Sequence, residues 1–235
     1  MEYPDGHRGR WPPDATAPLV KHRLSDGDEV FLIGAGGHAT VVSDAVRSVG
    51  GRVAGYVAPE ASPSFDDLPW LGTEEGFLSR RGEGLTYLAL SLGDLSLRSR
   101  LITLYEEKTG TLFPPIVHAR AFVAEDATLG KGAQVMAGAV VQPGARLGAF
   151  TIVNTAAVVE HGCSVGPNSH VAPGAILLGN VHVGEEVLVG AGAVVLPTRS
   201  VGDGTLIGAG TTVTEDVPAG VLLARGRSRP VRRSF

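Results

Sequence analysis

The stretch that decides the fold is residues 117–165, VHARAFVAEDATLGKGAQVMAGAVVQPGARLGAFTIVNTAAVVEHGCSV, in which an aliphatic residue stands at every sixth position. The same spacing continues without interruption to Val213. The seventeen aliphatic residues are Val117, Val123, Leu129, Val135, Val141, Leu147, Val153, Val159, Val165, Val171, Leu177, Val183, Val189, Val195, Val201, Ile207 and Val213. Neither helix nor strand periodicity explains a six-residue repeat of this length. The repeat predicts a β-solenoid in which each hexad is one short strand plus a corner, and three hexads form one coil.

The other hexad positions agree with this prediction. Four residues after each aliphatic residue comes a small one, such as Ala133, because a narrow column has room for one branched and one small inward side chain. The position before it is mostly Gly or Asn, as corners with positive φ require. One position earlier come charged residues and prolines, such as Lys131 and Pro143, which we expect to point outward.

Length and composition bound the class of protein. A chain of 235 residues fits one large or two modest domains, and a net charge of −4 gives no field that would recruit nucleic acid. The single cysteine, Cys163, excludes an intramolecular disulfide and is typical of a reducing cytoplasm, where we expect the protein. It falls on a small inward position, which favours an inert packing thiol over a nucleophile. No run of about 18 apolar residues predicts a membrane span.

Strands and helices alternate in the part of the chain before the repeats. The expected elements are strands at 28–33, 52–57 and 85–92 and helices at 38–49 and 95–109. This alternation indicates a small, Rossmann-like parallel sheet. The predicted segments are a leader at 1–27, a Rossmann-like α/β domain at 28–112, the β-solenoid at 113–220 and a basic tail at 221–235.

Residues 34–39, GAGGHA, follow the first predicted strand and open the first helix. The glycines allow close approach of a ligand to the backbone, and a helix N-terminus presents N–H groups to phosphate. NAD is disfavoured, since no acidic residue ends the second strand before Pro59 and the sheet is short. A smaller nucleotide or a sugar phosphate is favoured, and a plain turn remains the alternative.

A second candidate site surrounds His161, which occupies an outward corner position where a buried structural histidine has no place. Eighteen residues later, the same corner of the next coil is Gly179, which leaves the imidazole uncovered. The outward corners Ala191 and Ala209 are also small and stack along another edge. Small outward residues beside an imidazole would suit an extended, narrow ligand, and a surface histidine beside ordinary turns is the alternative.

The remaining polar candidates are less specific. Because His118, His170 and His182 are not separated by multiples of eighteen residues, they do not stack, and we expect no metal site. Asn154 precedes His161 by seven residues and is either a ligand-facing amide or a turn residue. Five arginines between Arg225 and Arg233 would suit the phosphates of coenzyme A or a solvated tail equally well.

These residues carry a family resemblance. The segments that carry it are FLIGAGGHATVVSDAV, LSLGDLSLRSRL, PPIVHARAFVAEDATLGKGAQVMAGAVV, IVNTAAVVEHGCSVGPNSHVAPGA and GNVHVGEEVLVGAGAVVLP. They resemble the sugar O- and N-acyltransferases of the hexapeptide-repeat superfamily over roughly residues 29–222. The nearest type acetylates nucleotide-linked 4-amino sugars, as in the bacillosamine and perosamine pathways, and sialic acid O-acetyltransferases are relatives.

The resemblance implies a left-handed parallel β-helix, a homotrimer and active sites between columns. It implies acetyl-coenzyme A as cosubstrate, with no metal, and His161 as the general base. The other residues that match functional positions of the family are Gly36, Gly37, His38 and Asn154 for the nucleotide sugar, and His170, Gly179, Ala191 and Ala209 for the acetyl-coenzyme A groove.

Three positions depart from the family pattern. An acidic residue commonly follows the base histidine, whereas here Gly162 does, so another carboxylate such as Glu160 orients the ring or the base is weaker. The acidic pair after the second strand is replaced by Ala58 and Pro59, which leaves the nucleotide open. The usual C-terminal G-V-P-A is replaced by residues 225–228, RGRS.

The sequence therefore predicts an acetyl-coenzyme A-dependent acetyltransferase for the amino group of a nucleotide-linked 4-amino sugar. One alternative is an O-acetyltransferase of the sialic acid type. Another, from a different class, is a non-catalytic solenoid that binds a nucleotide sugar.

Overall fold

The computed structural model describes residues 23–79, 87–109, 113–224 and 227–230. A small α/β domain comes first. Its elements are β1 (Glu29–Ile33), α1 (Gly37–Ser48), β2 (Arg52–Val57), a 3₁₀ turn (Pro63–Phe65), α2 (Glu74–Ser79), β3 (Tyr87–Leu90) and α3 (Leu95–Thr109). The three strands form a parallel sheet in the order β2-β1-β3.

The structure follows the expected α/β pattern with small differences in bounds and one additional helix. The second strand and the long helix α3 have the predicted bounds, and α1 begins one residue earlier than predicted. The third strand ends at Leu90 rather than Leu92, and residues 85–86 lie outside the described residues. Helix α2 was not predicted, although the Thr73 hydroxyl caps it by accepting from the Gly76 N–H, and two glutamates begin it.

Seventeen two-residue strands, β4 to β20, follow and form a three-sided column of parallel sheets. The first side, here called the domain face, contains β4 (Ile116–Val117), β7 (Gln134–Val135), β10 (Ile152–Val153), β13 (His170–Val171), β16 (Leu188–Val189) and β19 (Leu206–Ile207). The second, the apolar face, contains β5 (Phe122–Val123), β8 (Val140–Val141), β11 (Val158–Val159), β14 (Ile176–Leu177), β17 (Val194–Val195) and β20 (Thr212–Val213). The third, the polar face, contains β6 (Thr128–Leu129), β9 (Arg146–Leu147), β12 (Ser164–Val165), β15 (His182–Val183) and β18 (Ser200–Val201).

The predicted hexad register is confirmed. Strands pair with partners eighteen residues away, as Val159 does with Val141 and Leu177. The second residue of every short strand belongs to the core of the column or packs against it. Every Gly or Asn at the predicted corner position of the hexads has positive φ. They are Gly132, Gly138, Gly144, Gly162, Asn168 (φ 50°), Gly174, Asn180 (φ 57°), Gly192, Gly204 and Gly210.

The C-terminal segment differs from the expected tail. Strand β21 (Val221–Ala224) extends the domain face by pairing with β19, and β22 (Arg227–Pro230) folds back antiparallel on it. A hairpin therefore covers the last coil. Residues 225–226 and 231–235 lie outside the described residues, so the role of the arginines stays open.

The α/β domain lies against the domain face. Ile116 and Met136 of the solenoid join the core under α1, and Phe113 and Phe150 join the core under α3. Most of the predicted leader, residues 1–22, lies outside the described residues. Leu24 is buried and its N–H donates to the Pro115 carbonyl (3.4 Å), so the packed domain includes this residue.

Candidate functional site

The N-terminus of α1 is the first part of the candidate site. The Gly36 backbone is extended and α1 begins at Gly37, and both glycines have open space where a β-carbon would lie. Gly34 has φ 108° and supplies the turn out of β1. The sequence therefore leaves the first N–H groups of the helix uncovered, in the arrangement that binds phosphate.

His38 links this helix to the solenoid. Its Nε2 lies 2.9 Å from Gln134 Oε1, and Gln134 Nε2 donates to the Leu90 carbonyl (2.7 Å), which fixes the amide orientation. His38 Nε2 is therefore the protonated nitrogen, and Nδ1 is left as an acceptor. Burial lowers the pKa of His38, the hydrogen bond to Gln134 opposes this, and the charge of Arg98 adds to it.

His170 and Asn154 lie beside His38 on the domain face. The rings of His38 and His170 are 6.3 Å apart, and Asn154 Nδ2 lies 3.0 Å from His170 Nε2. Since Asn154 Oδ1 accepts the Thr155 N–H (2.8 Å), Nδ2 is the donor to the histidine. Burial, followed by His38 and Arg98, lowers the pKa of His170 to about 4, so both histidines are neutral at physiological pH.

His161 lies on a different part of the column, at the corner between the apolar and polar faces, here called the histidine edge. Its side chain is exposed and its ring covers Gly179. A β-carbon on Gly179 would lie 2.6 Å from His161 Nε2, so only glycine fits beneath the imidazole. Glu160 accepts a hydrogen bond from the main-chain N–H of His161 (3.3 Å), which is a contact with the backbone and not with the ring.

The two residues after His161, Gly162 and Cys163, have structural roles at this corner. Gly162 has φ 67°, and the Asn180 side-chain oxygen occupies the place that its β-carbon would take. Cys163 is buried, donates to the Leu178 carbonyl (3.1 Å), and has its pKa raised to about 11 chiefly by burial. Such a thiol is neutral at physiological pH, as the inert interpretation predicts.

Ala191 and Ala209 lie at the corner between the domain face and the apolar face, here called the alanine edge. Both are exposed. Asn154 begins a turn of this same edge, two coils before Ala191. One chain therefore carries two separate groups of candidate residues. His38, His170, Asn154 and the two alanines lie on or near the domain face, whereas His161 and Gly179 lie at the opposite border of the apolar face.

The two other histidines of the described ranges have local partners. His118 Nε2 lies 3.1 Å from Asp44 Oδ2 of α1, and His182 Nδ1 lies 2.8 Å from Ser164 Oγ on the polar face. Within the described ranges, no group of three or more His, Cys, Asp or Glu side chains is arranged to hold a metal ion. A search of the same ranges finds no helix with the length and apolarity that crossing a membrane requires.

Sequence reasoning missed two polar residues of this region, Gln134 and Arg98. Gln134 stands at an outward position of its hexad on the domain face. The register therefore predicts on which face it lies, but not which residues it contacts. Arg98 is fully buried, although arginines rarely are. The burial of Arg98 could have been predicted from its spacing in the helix. Arg98, Leu101 and Tyr105 are three and four residues apart and therefore share the buried side of α3.

Comparisons with known proteins find two family models that match separate parts of the chain. The family model "PglD N-terminal domain" matches residues 29–104, and the model "Bacterial transferase hexapeptide (six repeats)" matches residues 180–215. A search of curated protein sequences gives no match.

Solved structures match almost the whole chain. The acetyltransferase domain of PglB from Neisseria gonorrhoeae FA1090, in complex with acetyl coenzyme A, is 34% identical with a TM-score of 0.79, covering 87% of this chain and 100% of that one. PerB from Caulobacter crescentus, in complex with CoA and GDP-perosamine, is 34% identical with a TM-score of 0.80, covering 90% and 100%. The predicted α/β domain followed by a left-handed β-helix of the acetyltransferase type is thereby confirmed.

Proposed function

Since the chain belongs to the hexapeptide-repeat sugar acyltransferases, as 34% identity over the full length of PerB shows, we propose that it transfers the acetyl group of acetyl-coenzyme A to the amino group of a nucleotide-linked 4-amino sugar. The two matching proteins were solved with these classes of ligand, acetyl coenzyme A in one and CoA with GDP-perosamine in the other. The observation that carries the proposal is the exposed His161 imidazole held over Gly179.

His161 is the general base of the proposed reaction. The acceptor amine attacks the thioester carbonyl while neutral His161 removes an amine proton. When the tetrahedral intermediate collapses and the C–S bond breaks, the imidazolium returns this proton to the sulfur, and coenzyme A leaves as the thiol. General-base catalysis of this kind contributes about 10²–10⁴-fold. Holding amine and thioester in one cleft adds the proximity effect. The buried, protonated Cys163 has no part in this route, which forms no acyl-enzyme.

The main chain of Gly179 is suited to stabilise the tetrahedral intermediate. Its carbonyl accepts the Thr198 N–H (3.0 Å), whereas its own N–H has no partner among the described backbone hydrogen bonds. An uncommitted N–H beside the base is the type of donor that stabilises an oxyanion. A carboxylate that orients the His161 ring is not needed for this step, and the contact of Glu160 with the backbone supplies none.

The acceptor half of the site lies on the α/β domain and the domain face. The free N–H groups at Gly36 and Gly37 would bind the diphosphate of the nucleotide sugar. His38 and Asn154 lie next to this helix end and present neutral polar groups, which suit hydroxyl and amino groups of the sugar. His170 lies beside both and keeps its predicted place in the acetyl-coenzyme A groove. Ala58 does not select a particular nucleobase, because its described contacts are made by the backbone. Its N–H donates to the Gly72 carbonyl, and its carbonyl accepts from the Trp70 indole.

A homotrimer would bring the two halves together. The apolar face, which lies between the alanine edge and the histidine edge, presents a ladder of outward apolar side chains. These are Phe122, which is 53% exposed, and the partly exposed Val140, Val158, Ile176 and Val194. If three copies turn this face toward a common axis, the histidine edge of each chain meets the alanine edge of the next. The groove for acetyl-coenzyme A then lies between two columns, with Ala191 and Ala209 on one wall.

The test is a screen for coenzyme A release with acetyl-coenzyme A and UDP-, GDP- or dTDP-linked 4-amino sugars. We expect turnover with one nucleotide series, with an N-acetylated product in mass spectrometry. Turnover of hydroxyl-only sugars with an O-acetyl product would instead establish the O-acetyltransferase. Binding of acetyl-coenzyme A by calorimetry, with no product from any acceptor, would support the non-catalytic solenoid.

A further inference from the structure

Gln134 is a buried amide in an otherwise apolar part of the domain face. Its side chain is 1% exposed. The residues in register with it, one coil before and one coil after, are Ile116 and Ile152, and both are buried. An aliphatic side chain therefore suits this position, and burying an amide there is costly unless its polar atoms are hydrogen-bonded. The presence of an amide at this position points to a role of its polar atoms.

Both polar atoms of Gln134 bond to the α/β domain. Its Nε2 donates to the Leu90 carbonyl (2.7 Å) at the end of β3, so its Oε1 is the atom that lies 2.9 Å from His38 Nε2 near the start of α1. Because an amide oxygen only accepts hydrogen bonds, His38 Nε2 carries the ring proton and donates it. One side chain of the solenoid therefore determines the tautomer of a histidine in the other domain.

This tautomer restricts what the His38 ring can offer to a ligand. Burial lowers the pKa of His38, so the ring is neutral at physiological pH. Its one N–H is bonded to Gln134, and its Nδ1 forms no hydrogen bond with any described residue. An uncharged ring nitrogen with a free lone pair accepts from a hydroxyl or an amino group, whereas the oxygens of a diphosphate are themselves acceptors. His38 is therefore suited to a donor group of a sugar and not to the phosphates.

We propose that Gln134 is a positioning residue, which holds His38 as a hydrogen-bond acceptor for the sugar part of the nucleotide sugar. The backbone N–H groups at Gly36 and Gly37 bind the diphosphate, and His38 Nδ1 accepts from a hydroxyl or amino group of the adjoining sugar. Gln134 acts through His38, because its own amide is buried and both of its polar atoms are bonded to the protein. The class of ligand rests on the proposed function, whereas the tautomer of His38 exists without a substrate.

The first experiment measures this tautomer in the absence of substrate. The substitution Gln134→Met approximately keeps the volume of the side chain and removes both polar contacts. ¹⁵N NMR of the histidine rings, with the His38 signals assigned from their loss in His38→Ala, should show a protonated Nε2 and an unprotonated Nδ1 in wild-type protein. In Gln134→Met we expect a mixture of the two neutral tautomers. A wild-type ring protonated on Nδ1, or a ring that Gln134→Met does not affect, overturns the proposal.

The matched control is Asp44→Ala, which removes a different bond between α1 and the solenoid. His118 Nδ1 accepts the Arg120 N–H, so His118 Nε2 donates to the Asp44 carboxylate (3.1 Å), in the second half of the helix. Asp44→Ala should leave the His38 tautomer and the acceptor KM unchanged. If it raised the acceptor KM as much as Gln134→Met does, the effect would belong to domain docking in general, and the proposal would be wrong.

The second experiment separates the sugar from the diphosphate. With the acceptor found in the screen, Gln134→Met should raise the acceptor KM about fivefold or more, as expected for one lost hydrogen bond, and leave the KM of acetyl-coenzyme A within about twofold. Calorimetry with the matching nucleoside diphosphate (UDP, GDP or dTDP), which lacks the sugar, should give the same Kd for Gln134→Met, His38→Ala and wild type. An equal loss of affinity for the nucleoside diphosphate would assign His38 to the phosphates and contradict the proposal.

A double-mutant cycle tests whether Gln134 acts through His38. In the His38→Ala background, Gln134→Met should have little further effect on the acceptor KM, and additive effects would refute the positioning role. If no acceptor is turned over, the proposed function fails, while the His38 tautomers in wild type and Gln134→Met still decide the role of Gln134. If Gln134→Met does not fold, the wild-type tautomer and the acceptor KM of His38→Ala, compared with its Kd for the nucleoside diphosphate, decide.

Discussion

At the scale of single residues, the most informative contact is that of the His161 ring with Gly179. The imidazole occupies the space that any other side chain at position 179 would need. Under the proposed mechanism Gly179 therefore has two roles. Its missing β-carbon admits the ring, and its N–H, which has no partner among the described backbone hydrogen bonds, is available to the oxyanion.

We expect His161→Ala to lower turnover about 100-fold or more, because the general base is lost. The side chain is exposed and makes no described hydrogen bond with its ring, so the fold and the affinity for acetyl-coenzyme A should remain close to wild type. Steady-state kinetics and calorimetry measure the two quantities. Activity above a tenth of wild type would exclude the general-base role.

The substitution Gly179→Ala should displace the His161 ring, since the new methyl group would lie 2.6 Å from Nε2. A misplacement of this size costs roughly 10- to 100-fold in turnover. In a double-mutant cycle with His161→Ala, the second substitution should have little further effect, because the displaced ring is absent. Additive losses would show that Gly179 acts independently of the imidazole.

The buried His170 predicts a pH dependence of stability. Its pKa is lowered to about 4 in the folded protein, so between pH 6.5 and about 4 the unfolded chain binds the additional proton. Stability should therefore fall as the pH falls through this window, by at most about 3 kcal/mol. Chemical denaturation at pH 7 and pH 4.5 should show a smaller loss for His170→Gln than for wild type. Equal losses would show that His170 does not contribute.

At the scale of elements, we expect the N-terminus of α1 to bind the acceptor and to take no part in binding the cosubstrate. Gly36 has an extended backbone and open space at the β-carbon position, so Gly36→Val is compatible with the fold. The branched side chain should cover the first N–H groups of the helix and raise the acceptor KM about tenfold or more. The KM of acetyl-coenzyme A should not change. Equal effects on both KM values, or none, would place acceptor recognition elsewhere.

At the scale of the whole molecule, the apolar face predicts the assembly. Val158 is a partly exposed outward residue in the middle of this face. Val158→Asp should convert a trimer to monomers and abolish turnover, because a buried charge opposes association and each site needs two columns. The matched control is Thr128→Asp on the polar face, which should leave the trimer intact. Sedimentation velocity of both variants tests this, and a wild-type monomer would refute the assembly.

The sequence was most informative where structure depends on neighbouring residues. The six-residue repeat placed Val159 and its equivalents in the core and identified Asn168 and Asn180 as corner residues, since both follow from the order of residues within a hexad. The repeat also separated the outward His161 from the inward Cys163. Each of these features depends on positions a few residues apart or one coil away.

The tertiary structure decided the contacts between segments that are far apart in sequence. Arg98 and Asn168 are seventy residues apart, and His38 and Gln134 are ninety-six apart. No local pattern specifies such pairs, because they form only when the α/β domain packs against one particular face of the column. The sequence by itself therefore determined the solenoid, its register and the exposed base candidate. The packing of the domain determined which of the described histidines are buried and neutral, and it brought His38 next to His170 and its partner Asn154.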